Sequence, residues 1–104
     1  MKEKVKILTG QASEEEISKW KKQFGEIFAA KVEDHIAYFR KPTRQELGYI
    51  MTLGNNPMKQ TENLLQTCFA GGSETILQDD SYFLGAASVM QQLLAVKRAE
   101  VEKL

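Results

Sequence analysis

The chain has 104 residues and a mass of 11.8 kDa, which is one domain's worth of polypeptide. Fourteen basic and fourteen acidic side chains cancel to a net charge of zero, so the basic excess of a nucleic-acid-binding domain is missing. A single cysteine, Cys68, excludes an internal disulfide framework, and no apolar run approaches the ~20 residues needed to cross a bilayer.

The amino terminus, Met1 to Leu8, lacks the apolar core of a secretory signal, which together with the lone cysteine predicts a soluble, cytoplasmic protein. Residues 1–12 read as a flexible arm or as a short edge strand, with Val5 and Ile7 alternating with lysines before Gly10 ends the run. The remainder, 13–104, reads as a single α+β domain.

Ser13 and Glu16 have the S/T-x-x-E spacing of a capping box, and three consecutive acids suit the positive end of a helix dipole. Ile17, Trp20 and Phe24 then form one apolar stripe, and Gly25 supplies a stop. From Glu26 to Arg40 the period changes. Ile27, Phe28, Ala30 and Val32, then Ile36, Tyr38 and Phe39, predict a β-hairpin that turns within Val32-Glu33-Asp34-His35. Apolar residues of both parities imply that both faces of the hairpin are covered.

Pro42 closes the second strand, and Thr43 with Glu46 repeats the capping box at the start of a helix over Thr43–Leu53. Its inner face is predicted to carry Leu47, Ile50 and Met51. Asn56 and Pro57 open a third helix, whose stripe of Met58, Thr61, Leu65 and Cys68 is widened by Leu64 and Phe69 and stopped by Gly71-Gly72. Ser73–Gln78 reads as a helical turn or loop with Ile76 and Leu77 turned inward. Asp79 or Asp80 then caps a last helix predicted from Ser81 to about Lys103. Such a helix would span about 34 Å and project past the body, leaving Val101 and Leu104 uncovered as a self-association surface. The expectation is therefore a β-hairpin packed against about four helices, the last of them long.

No set of residues spells out a reaction. His35 and Cys68 are the only soft-metal ligands, too few for a zinc site without carboxylates from elsewhere, so no metal and no cofactor are expected. Asp79-Asp80 reads as a cap rather than a catalytic pair, and Gly71-Gly72-Ser73 lacks the frame of a phosphate loop. Most of the nine aromatic residues must be core. The sharper alternative is that some line a groove for a partner helix. The candidates are Phe28, Tyr38, Tyr49 and Tyr82, joined by Val101 and Leu104 of the overhang.

Ala37-Tyr38-Phe39-Arg40-Lys41-Pro42-Thr43-Arg44-Gln45-Glu46 resembles the junction of strand, Lys/Arg-Pro, Ser/Thr/Asp-Arg and helix in small tail assembly chaperones of long-tailed phages and prophages. Pro57-Met58-Lys59, Leu64-Leu65, Cys68 to Gly72 and Asp79 to Phe83 look like the continuation in one branch of such phage-derived proteins. The similarity covers roughly residues 26–104. It implies binding without catalysis in the cytoplasm of a bacterial host. The expected client is a long amphipathic helix of the tape-measure kind, covered by many copies whose avidity offsets modest single-site affinity. Self-association into a homo-oligomer is compatible with it, and no nucleic acid or membrane partner is implied. The alternative is a small structural or oligomeric component of a prophage or mobile element, with no client.

Overall fold

The computed structural model describes residues 7–94 and 99–104. The fold is α+β, a three-stranded antiparallel sheet with short helices on both faces. Helix α1 (Glu14–Phe24) starts at a complete capping box of Ser13 and Glu16. Strands β1 (Ile27–Val32) and β2 (His35–Arg40) pair from Ile27 opposite Arg40 to Val32 opposite His35, as the alternation predicts. The turn is Glu33-Asp34, and Glu33 takes φ 56°, a left-handed conformation at a non-glycine residue.

Helix α2 (Arg44–Met51) begins at the second capping box, Thr43 with Glu46. Helix α3 (Pro57–Cys68) begins at Asn56, whose side chain accepts from the Lys59 amide. Two short helices then follow, α4 (Thr75–Gln78) and α5 (Asp80–Ala86), the second capped by Asp79, which accepts from the amides of Ser81 and Tyr82.

Three expectations are corrected. The end of the third helix, where Phe69 and the glycines were expected to continue and stop the stripe, is instead strand β3 (Phe69–Gly72), paired antiparallel to β2 through a bulge at Tyr38/Phe39. The long last helix is broken. It divides into α5 and α6 (Val89–Leu93), and residues 99–104 carry no helix, while Val96, Lys97 and Arg98 of the expected helix lie outside the described residues. Gly85 and Ser88, beside the division, are weak helix formers, and both pieces find cover on β1 and in one core, where Phe83 and Leu93 are 7% and 2% exposed. Thirdly, the inner face of α2 holds Ile50 but not Met51, which is 74% exposed.

β2 is buried on both sides, with Ile36, Ala37, Tyr38 and Phe39 all enclosed. One face carries the core: Ala37 and Phe39 pack with Leu64, Leu65, Cys68, Ile76 and Phe83. The other is covered by Trp20, whose ring lies 5.4 Å from that of Tyr38 and crosses Gly71 so closely that a Cβ there would come within 2.6 Å of the indole. The amino-terminal segment adds to the sheet itself, on the β3 side of β2. Thr9 bridges His35 in parallel, donating to the Asp34 carbonyl and accepting from the Ile36 amide. Gly10, at φ 91°, passes so near Ser73 and Ile36 that no side chain fits. Ile7 is exposed, and Val5 of the expected run lies outside the described residues.

Candidate functional site

The junction of strand and helix that opens α2 sets the geometry of the surface beside it. Arg40, at the end of β2, donates to both carboxylate oxygens of Glu46 at 2.8 and 2.9 Å and to the Thr67 carbonyl at 2.9 Å. One guanidinium thereby holds the first turn of α2 and the last turn of α3 against the sheet. Its face lies 5.4 Å from the centre of the Phe24 ring. Beside Arg40 the Glu46 carboxyl is held down to about 2, mainly by that hydrogen-bonded pairing.

With both helices anchored at one end, an apolar groove of about 300 Å³ opens toward the other. It is lined by Leu47, Ile50 and Met51 of α2, Gln60 and Leu64 of α3, and Leu94 just past α6. Ile50 and Leu64 are buried and form its floor, while Met51 and Leu94 are exposed at its rim. Gln60 is the one polar liner, and its amide already donates to the Gly54 carbonyl at 2.8 Å. A ligand entering this groove meets apolar surface and a flexible thioether, which adapts to irregular shapes. A second hollow, about 340 Å³, lies between Met58, Leu77, Phe83 and Leu84 but also faces Glu62 and Asp80.

The aromatic candidates are not brought together. Tyr38 is corrected: at 4% exposure, packed on Trp20 and accepting from the Ala12 amide at 3.2 Å, it is closed to any partner. Phe28 and Tyr82 are half-buried against the core, Tyr82 edge-on to His35 at 4.8 Å. Tyr49 is 60% exposed, but it lines a polar hollow with Gln45, Glu46, Asn63 and Thr67. Val101 and Leu104 are fully exposed outside any helix. The groove residues Met51 and Leu94 were missed because their spacing fits a buried stripe as well as an open one.

Among the described residues, the surroundings of His35 come nearest to a catalytic arrangement. Its Nδ1 lies 2.7 Å from Ser73 Oγ, and its Nε2 is 3.7 Å from Asp34 Oδ1. Ser73 is 7% exposed, so its hydroxyl meets the imidazole rather than a substrate. The pair pins the start of β2 to the end of β3. Cys68 is fully enclosed, and burial pushes its thiol up to about 11, away from nucleophilic character. Among the described residues no three His, Cys, Asp or Glu side chains gather to hold a metal, and no helix is long and apolar enough to cross a membrane.

Compared with protein-family models, with curated proteins and with solved structures, the chain matches none.

Proposed function

We propose that this protein is a non-catalytic interaction module of the bacterial cytoplasm, which covers the apolar seam of a helical client as a tail assembly chaperone covers a tape-measure protein. The observation that carries the reading is the groove between α2 and α3. Its floor is apolar, its single polar liner is already hydrogen-bonded, and its rim holds an exposed methionine. The occupant is one ridge of an amphipathic helix. Its lining runs from Leu47 to Met51 on α2 and from Gln60 to Leu64 on α3, about 6 Å of helix on each side, so the groove accepts about one turn with anchors at i and i+3 or i+4. A zero net charge adds no long-range attraction or repulsion, which suits a contact that must later be displaced. The resemblance of residues 37–46 to the chaperone junction supports the same assignment.

The test is co-expression with a tape-measure fragment that precipitates when made alone. The wild-type chain keeps the fragment in solution, and Met51→Glu or Leu94→Glu loses that activity while the far-ultraviolet circular dichroism stays unchanged. A fragment that stays insoluble beside wild-type chain, or groove variants that protect it as well as wild type, overturns the reading. A fixed ring or tube formed without any client would favour the structural-component alternative.

A further inference from the structure

β1 is an edge strand, and among the described residues no strand pairs with its outer side. In a two-residue hairpin the residues flanking the turn are hydrogen-bonded to each other, so Val32, Ala30 and Phe28 point their backbone groups toward β2. The bonds of Ile36 confirm this phase, because it turns away from β1 to accept from Ser73 and donate to Thr9. Ile27, Ala29 and Lys31 therefore direct their amides and carbonyls outward, and among the described residues nothing bonds them. Ala29 and Lys31 are exposed. The usual defences of an edge are weak here: β1 has six residues, no proline, no bulge and one lysine. The opposite edge is protected, since β3 is short and bulged and Trp20 lies over Gly71.

We propose that β1 pairs antiparallel with β1 of a second copy, about a two-fold axis at Ala29, joining two three-stranded sheets into one of six. The strand's own sequence favours a second copy as the occupant. A two-fold axis perpendicular to the sheet keeps each residue on its own face, so residues of equal parity must meet. Centring on Ala29 sets Ile27 opposite Lys31 and Ala29 opposite itself, and this register satisfies the outward groups of all three residues with six hydrogen bonds. On the core face it sets Phe28 opposite Ala30, large against small, so no two bulky side chains collide. The two Lys31 ammonium groups lie at opposite ends of the pairing. Glu26, which approaches the acidic Glu33-Asp34 turn of the second copy, is already matched by Lys41 at 3.4 Å. A net charge of zero adds no repulsion between copies. The pairing is isologous and consumes both open edges, so it closes as a dimer.

Light scattering on the eluting wild-type protein should give twice 11.8 kDa. Ala29→Pro removes only an outward amide, so it should halve that mass while keeping the circular dichroism. A folding defect in that variant would not end the test, because cysteine cross-linking reads the register directly. Residues opposed as a hydrogen-bonded pair have Cα atoms about 5.5 Å apart, within disulfide reach. Ala29→Cys should form a covalent dimer on mild oxidation, whereas Lys31→Cys, facing Ile27, should stay monomeric on a denaturing gel. A wild-type mass of 11.8 kDa at hundreds of micromolar, or equal cross-linking of the two variants, overturns the proposal. So does a dimer whose mass a folded Ala29→Pro leaves unchanged.

Discussion

The Arg40 guanidinium and the Glu46 carboxylate meet as a two-pronged pair at 2.8 and 2.9 Å, and the same carboxylate accepts from the Thr43 amide at 2.9 Å. A helix cap and a contact between strand and helix thus share one side chain. Because the folded pKa lies below the ordinary 4.5, at about 2, the stabilisation is complete above pH 4.5 and is lost as pH falls toward 2. Allowing for screening of a carboxylate that is 30% exposed, the loss should be about 1–2 kcal/mol. Glu46→Gln keeps a capping amide but removes the charge. Urea titrations should show it less stable than wild type by about that amount at pH 7 and equal to wild type near pH 2. A constant difference between the two proteins across that window would contradict the assignment.

Glu33 holds φ 56° at the first turn position while Asp34 stays at negative φ, the pattern in which glycine is preferred at that first position. Glu33→Gly should therefore raise stability by about 0.5–1 kcal/mol, the reverse of the usual effect of adding glycine. Thermal unfolding at pH 7 checks the sign, and a lowered midpoint refutes the turn geometry.

Trp20 is the sole tryptophan, so its fluorescence reports on one contact. A methyl group at position 71 would sit 2.6 Å from the indole and push the ring off Tyr38. Gly71→Ala should shift the emission to the red and cost about 1–2 kcal/mol. An unshifted spectrum would mean that α1 is not seated on the sheet through this ring.

Cys68 is fully buried, with its thiol pushed up to about 11. At pH 8 an aromatic disulfide reagent should leave it untouched in the folded protein and titrate one thiol per chain in 6 M guanidinium. Fast labelling of the native protein would show that α3 opens readily.

Both capping boxes, the stop at Gly25 and the Asn56 and Asp79 caps stand where local spacing puts them, because each is settled by hydrogen bonds over two to four residues, and the hairpin is still local, its ladder closing within residues 27–40. The groove was half legible. Leu47, Ile50 and Leu64 carry a helical stripe, but a stripe cannot say which of its members a neighbouring helix will cover, and Met51 was left out. Likewise, Tyr38 looks like any partner-binding tyrosine until Trp20 and Ala12 close over it.

Local amino-acid chemistry thus settled where α1 and the hairpin lie and where α2 and α3 begin, and that strands and helices coexist. It left undetermined that Phe69–Gly72 is a strand and that the last helix divides near Ala87. Two glycines have no strand preference of their own, and 69–72 becomes a strand only because β2, more than 28 residues earlier in the chain, offers it partners. After the division near Ala87, Phe83 and Leu93 are both enclosed by residues of β1, β2 and α3. Contacts between residues distant in sequence make those choices, and no window along the chain contains both sides of them.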